Sequence, residues 1–270
     1  MIKINNLNKT FNKGTINEVY ALKNISLEIK ESDFVTIIGT NGSGKSTLLN
    51  AIAGSFAPDT GDIFINNENV TKQADFKRAK YVSRVFQNPY SGTAPDMTIA
   101  ENLLIAYNRS KKIFPRIGLN SKLIKNFRDQ VAQLEMQLED RLDNVIGSLS
   151  GGQRQAITLL MATIIKPKVL LLDEHTAALD PKTAAQVIKL TQRFVSADKL
   201  TTIMITHSMQ QALEFGNKTI MMYKGEVIDS LSEAEKKRLT VNDLLNKFSD
   251  LRKKEKVSDS LISDLRQKYL

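Results

Sequence analysis

The stretch Gly39-Thr40-Asn41-Gly42-Ser43-Gly44-Lys45-Ser46-Thr47 constrains the fold of this chain more than any other. It has the form G-x-x-x-x-G-K-[ST]. The residues before it, Phe34 to Ile38, are apolar and β-branched, as in a buried strand. Thr47 to Ala53 reads as the first turns of a helix, with Gly54 as its stop. Between strand and helix, glycines let the backbone curl until successive N–H groups point inward. The helix N-terminus adds unpaired N–H groups and a partial positive charge. Such a loop cradles phosphate. Lys45 is placed to reach the β- and γ-phosphates of a nucleotide, and the Ser46 hydroxyl to ligate Mg²⁺.

The surrounding chain reads as an α/β fold. Ile2-Lys3-Ile4, Val19-Tyr20-Ala21-Leu22 and Ile25 to Ile29 alternate as half-buried strands, so an antiparallel β-layer precedes the loop. Phe11 lies on its edge and has two readings, a platform for a purine ring or a core aromatic. Asp62 to Ile65 and Tyr81 to Phe86 read as further strands. From about 90 to 165 the pattern turns helical. Thr98 with Glu101 forms a capping-box signature. Ser121 opens a helix whose Ile124, Phe127, Val131, Leu134 and Leu138 share one face. Ser150 to Ile165 reads as another helix, stopped before Pro167. Val169 to Leu172 is an uninterrupted apolar run, typical of a strand buried on both faces in a mainly parallel sheet. Thr201 to Thr206 is a second, and a hairpin turns at Lys224-Gly225. The expected division is a domain over 1–231, with a helical subdomain inserted at about 90–165, and a helical tail over 232–270. In that tail Leu244, Leu245, Phe248 and Leu251 share a face, as do Leu261, Leu265 and Tyr269.

Composition excludes whole classes of chemistry. With no cysteine, thiolate metal sites, disulfides and Cys nucleophiles are ruled out; with His175 and His207 alone, so is a histidine-rich centre. No apolar run approaches the roughly 18–20 residues that span a bilayer, and Met1 to Asn5 lacks the layout of a signal peptide. Any membrane role therefore runs through a partner. Net charge is +9. From Arg109 to Arg128 there are seven basic residues and no acid, a solvated face or a contact for headgroups or an acidic loop. The interleaved aromatics of a nucleic-acid surface are missing there.

Phosphoryl transfer to water needs a cradle, a metal, a positioned water and charge stabilisation. Asp173 closes the apolar strand and can hold Mg²⁺. Glu174 points the other way, as neighbours on a strand do, and is assigned as general base. Gln87, at a strand end, has the chemistry to contact Mg²⁺ or the water, or to be a surface amide. His207, after a buried strand, is placed to hydrogen-bond the γ-phosphate. Leu149-Ser150-Gly151-Gly152-Gln153 is a second anion-binding helix start, unexpected in a chain that already has one.

Taken together these motifs resemble the ATP-binding subunit of ABC transporters over about residues 1–228. Gly39–Thr47 matches the phosphate loop, Gln87 the Q-loop, Leu149–Gln153 the signature, and Val169–Glu174 the Walker B strand. Ala177-Ala178-Leu179-Asp180 matches the D-loop and His207 the switch histidine. The resemblance implies ATP and Mg²⁺ as ligands, and a head-to-tail dimer in which Ser150 and Gly152 of one copy close on the γ-phosphate held by the other. It implies integral membrane permease subunits as partners, an extracytoplasmic substrate-binding protein, and a place on the cytoplasmic face of the membrane. No nucleic acid is expected. Phe11 matches the adenine-stacking aromatic, commonly tyrosine, and His175 stands where proline usually follows the glutamate. The segment Asp173 to Pro181 is similar to ATPases of bacterial importers that work with substrate-binding lipoproteins, some linked to tryptophan or tyrosine. The alternative is a soluble ATPase of the same superfamily acting on DNA or ribosomes. Long coiled coils or two nucleotide domains, which mark those classes, are not seen in this sequence. An ordinary kinase or GTPase is disfavoured by the signature and by the lack of an Asn-Lys-x-Asp motif.

Overall fold

The run Val169 to Leu172 is apolar without alternation because both of its faces are covered. In the computed structural model, which describes residues 1–109 and 118–254, it is strand β7 (Val169–Asp173), buried at every position. Val169 and Leu171 face one core cluster, and Leu170 and Leu172 face the other. A strand has period two, so a strand between two cores must be apolar at each residue.

β7 lies in a six-stranded sheet. Its other members are β3 (Phe34–Gly39), β6 (Val82–Val85), β8 (Thr201–Ile205), β9 (Lys218–Tyr223) and β10 (Glu226–Ser232), in the order β10-β9-β3-β8-β7-β6. All neighbours are parallel except the β9–β10 hairpin. The second sheet is antiparallel, in the order β2-β1-β4-β5, with β1 (Ile2–Phe11), β2 (Val19–Ile29), β4 (Thr60–Ile65) and β5 (Glu68–Asn69). The expected β-layer is thus present, with two differences. The two segments read between Val19 and Ile29 are one strand, continued across Lys23 and Asn24, with irregular pairing to β1 absorbing the break in alternation. β4, which follows the phosphate loop, joins the same layer by pairing with β1.

Helix α1 (Lys45–Ala53) is packed between the two sheets. Its Leu48, Leu49 and Ile52 are fully buried with Ile2, Ile4 and Ile63 of one sheet and Val35, Ile37 and Leu171 of the other. Each such side chain contributes roughly 1.5–3 kcal/mol. Arg78, the last residue of α2 (Asp75–Arg78), closes the C-terminal end of α1. Its guanidinium donates to the carbonyls of Ala51 and Ile52, and to those of Thr71 and Gln73.

The other sheet face carries the helices α3 (Ile99–Asn108), α4 (Ser121–Ala132), α5 (Gly151–Thr163) and α6 (Pro181–Asp198). The Thr98–Glu101 capping box is formed. The face read over 124–138 is buried at Phe127, Val131, Leu134 and Leu138, but α4 ends at Ala132. Leu134 and Leu138 reach the same core from turns, where Glu135 and Gln137 adopt positive φ. After α7 (Met209–Glu214) and the hairpin come α8 (Glu233–Lys236) and α9 (Val241–Lys254). Leu244, Leu245 and Phe248 are buried against Met209, Ala212 and Leu231. The expected face at Leu261, Leu265 and Tyr269 lies outside the described residues, as do Lys111, Lys112 and Arg116 of the basic segment.

Candidate nucleotide and metal site

Four parallel strands end along one edge of the large sheet, and each delivers one candidate residue. Register fixes the alignment. Ile37 of β3 and Asp173 of β7 both pair with Ile205 of β8, and Val85 of β6 pairs with Leu172. Gly39 and Asp173 therefore close their strands, and His207 and Gln87 stand two residues beyond the ends of theirs, on four adjacent strands. In open α/β sheets, ligand crevices form at such carboxyl ends.

The loop between β3 and α1 takes the shape its glycines permit. Gly44 has φ +95, and a Cβ there would stand 2.5 Å from the Ala21 carbonyl oxygen. Only glycine fits both conditions. The α1 hydrogen-bond ladder starts with Leu48 N–H to Gly44 O at 2.8 Å, so the earlier helix N–H groups have no acceptor within the helix. The Ser43 Oγ is buried inside the loop without a hydrogen-bond partner. A buried hydroxyl beside unladdered N–H groups fits a phosphate oxygen. Thr40, Asn41 and Gly42 complete this turn, and Thr47 stands in the first turn of α1. Lys45 Nζ donates to the Gly39 and Thr40 carbonyls at 2.8 and 3.0 Å, across the mouth of the loop.

Asp173 and Glu174 do point different ways. One Asp173 carboxylate oxygen lies 3.4 Å from Ser46 Oγ, and the other accepts from Arg84 Nη2 at 2.5 Å. A hydroxyl and a carboxylate oxygen side by side suit a hard cation such as Mg²⁺. Glu174 turns away at φ +46, left-handed backbone that costs a non-glycine residue on the order of 1 kcal/mol. Its carboxylate meets His207 Nε2. Both line a cleft of about 430 Å³ with Thr176, Thr206 and Ser208. The turn carrying His207 is tied down locally, by Thr206 Oγ1 on Gln211 and by Ser208 capping α7.

The signature residues stand elsewhere. Ser150 caps α5, accepting from Gln153 N–H at 3.3 Å, while the Gln153 side chain accepts from Ser150 N–H at 3.2 Å. Gly152 is buried against α6: a Cβ would fall 1.9 Å from Thr183 Cγ2. Ser150 and Gln153 border a cleft of about 240 Å³ with Glu135, Gln137, Thr183 and Gln186. It shares no residue with the cleft at Glu174 and His207. Asp180 caps α6, and hydrogen bonds from the Thr183 side chain and then its N–H hold its carboxyl below the usual range. Gln87 is exposed. Phe11 meets Phe56 edge-on, ring centroids 5.3 Å apart, with Lys9 Nζ 5.5 Å from its centroid.

Several participants were not read from the sequence. Arg84 of β6 holds Asp173 and donates in turn to Asn50 Oδ1 of α1. A charge inside the short strand Val82–Val85 was the signal for the first; nothing marked the second. Gln155 Nε2 donates to the Phe86 carbonyl, joining the signature helix to the residue before Gln87. His175 is fully buried, its Nε2 3.0 Å from Thr191 Oγ1 on α6. Burial lowers its pKa to about 4. It fills the position as a neutral, hydrogen-bonded core residue.

The sequence profile described as ABC transporter matches residues 22–177. The tyrosine transport ATP-binding protein of Clostridioides difficile (strain R20291) is 44% identical over 250 residues, 92% of this chain and 98% of that one. The phosphate import ATP-binding protein PstB of Aeropyrum pernix is 34% identical, over 79% of this chain and 85% of that protein. Among solved structures, the dimeric post-hydrolysis state of the ATP-binding cassette MJ0796 bound to ADP and Pi superposes with a TM-score of 0.74. It is 30% identical, over 86% of this chain and 99% of that one. With this profile match, these identities and a loop shaped for phosphate, the chain belongs to the ABC transporter family as one of its ATP-binding subunits.

Proposed function

We propose that two copies of this chain sandwich two ATP molecules and that their closure drives import of an amino acid, of the tyrosine class, through separate membrane permeases. The observation that carries the proposal is the separation of the two anion sites. Glu174 and His207, at the strand ends beside the loop, line one cleft, the Ser150 helix start borders another, and no residue lines both. One copy thus holds half of each site, and a second copy in head-to-tail arrangement supplies the other half. The dimeric MJ0796 cassette supports that arrangement, and the tyrosine transport relative supports the substrate class.

In this mechanism the loop 39–47 and Lys45 hold the triphosphate, and Phe11 stacks on the adenine. Ser46, Asp173 and Gln87 would hold Mg²⁺, which would supply neutralisation of phosphate charge. Glu174 accepts the proton of the attacking water. His207, paired with Glu174 here, orients it and donates to the γ-phosphate. Ser150, Gly151, Gly152 and Gln153 of the partner close over the γ-phosphate with their helix N-terminus, and Asp180 stands at the seam. Residues 1–231 carry this machinery, and the appended tail begins at 232, with α8 and α9 in its described part. Among the described residues no helix is long and apolar enough to cross a membrane. The proposed place is the cytoplasmic face, bound to permease subunits fed by an extracytoplasmic binding protein.

The test has two arms. Ser150→Arg puts a long cation at the helix start; ATP should no longer shift the protein from monomer to dimer in gel filtration. Unimpaired ATP-driven dimerisation would refute the shared site. Pull-down from solubilised membranes should recover a polytopic protein, and loss of the gene should abolish tyrosine uptake. Recovery with nucleic acid alone would favour a soluble ATPase.

A further inference from the structure

The sharing of Asp173 is not accounted for by ATP hydrolysis as described. Its two carboxylate oxygens have different partners. One faces Ser46 Oγ at 3.4 Å. The other is held at 2.5 Å by Arg84, whose guanidinium also donates to Asn50 Oδ1 and lies 4.6 Å from the Phe86 ring centroid. Arg84 and Asp173 are both largely shielded, with side chains 15% and 12% exposed, so solvent screens the pair weakly. The guanidinium is anchored on α1 through Asn50 and on β6 by its own backbone, and it stays beside the carboxylate.

We propose that Arg84 is a resident counter-ion of Asp173 that competes with a free divalent cation, so that the site takes metal together with nucleotide phosphate and not alone. The inference rests on the reading of Asp173 as a metal-side carboxylate. The physical basis is charge balance. Lys45 on the loop and Arg84 on β6 stand against Asp173 at the end of β7 and Glu174 next to it, two cations and two carboxylates. A bare dication meets no net attraction from these four groups and is repelled by the nearest guanidinium. A nucleotide adds several negative charges and tips the balance. Arg84 is a positioning residue here, since it acts on the metal through Asp173. The guanidinium also keeps the shielded carboxylate paired while no metal is bound, avoiding an uncompensated charge. Sequence carries the same mark: in Val82-Ser83-Arg84-Val85 the arginine is the one charged side chain.

Arg84→Gln keeps a donor for Asp173 and removes the charge; Arg84→Lys keeps the charge and loses the fork. The probe is Mn²⁺ titrated onto nucleotide-free protein and followed by electron paramagnetic resonance. The expected result is that Arg84→Gln binds Mn²⁺ about fivefold or more tightly than the parent, while Arg84→Lys stays within about twofold. Equal or weaker binding by Arg84→Gln overturns the proposal. Should that variant fail to fold, a fivefold shift in Arg84→Lys overturns it by itself. Adding Asp173→Asn to Arg84→Gln should erase the gain. A gain that survives Asp173→Asn lies elsewhere, and then the assignment of Asp173 to the metal is what fails. A merely structural Arg84 would lower the melting temperature in both variants and leave Mn²⁺ affinity unchanged.

Discussion

Gly152→Ala separates packing from chemistry at the signature helix. The added Cβ would sit 1.9 Å from Thr183 Cγ2 and 3.3 Å from Thr183 Cβ. Carbon atoms rest at about 3.5–4.0 Å, so the methyl must move by roughly 1.5–2 Å. Threonine has two favoured χ1 rotamers in a helix, and a hydrogen bond from its side chain to Asp180 favours the present one. Helix α6 is not free to retreat, because its Ile188, Leu190, Phe194 and Val195 are buried in the core it shares with α5. Overpacking of this kind costs about 1–3 kcal/mol, and the better helix propensity of alanine returns up to about 1 kcal/mol. A net loss of about 1–2 kcal/mol corresponds to a melting temperature lower by roughly 2–8 °C for a chain of this size. Thr183→Ser deletes the clashing methyl and keeps the backbone cap. The double variant should regain most of the loss in thermal denaturation without nucleotide. Its ATP hydrolysis should stay low if Gly152 also has to approach the partner's γ-phosphate. A Gly152→Ala protein as stable as the parent, or one that Thr183→Ser leaves unrepaired, would refute the contact argument. Full turnover in the double variant would confine Gly152 to packing.

Three further outcomes are expected. Glu174→Gln should slow phosphate release by about 10²–10⁴-fold while ATP still assembles dimers; parental turnover would remove Glu174 from the role of base. His175 has a folded pKa near 4, below that of a free histidine, so the unfolded chain binds the extra proton first. Its contribution is whole above about pH 6.5 and is lost as pH falls toward 4, up to about 3 kcal/mol. Urea denaturation of His175→Gln should show that much less acid sensitivity over this window, and an unchanged slope would count against the burial argument. Arg78→Met strips donors from four carbonyls, two at the end of α1. It should cost about 3 kcal/mol or more and lower the melting temperature by at least roughly 6 °C; a shift near zero would show that water replaces the guanidinium.

Local pattern made much of the fold legible. The β3–loop–α1 unit, the Thr98–Glu101 box and the Val169 to Leu172 run each carry their own explanation in neighbouring residues. The misjudged places are those where distant chain overrides local pattern. Lys23 and Asn24 interrupt an alternation that pairing with β1 carries through as one strand. Leu134 and Leu138 continue a helical spacing that the backbone abandons after Ala132, since both still reach the core from turns. α2 and α7, of four and six residues, are too short for periodicity to register. Among candidate site residues, the motif positions are recognisable because phosphate chemistry demands particular atoms at particular spacings. Asn50 and Gln155 act through contacts 34 and 69 residues away, for which spacing holds no information.

The phosphate loop illustrates the division. Sequence by itself determined that a strand, a glycine turn and a helix would form a cradle at 39–47, because backbone sterics and helix N-termini are local properties. It marked too a helix start at Ser150, which the structure has as the cap of α5. Only the tertiary structure decided that Asp173 divides its oxygens between Ser46 and Arg84, that Glu174 turns to His207, and that Ser150 opens on a different cleft from both. Those facts depend on strand order and register in the large sheet, which follow from how two cores are filled at once. Burial is a property of the whole chain, and no window of residues contains it.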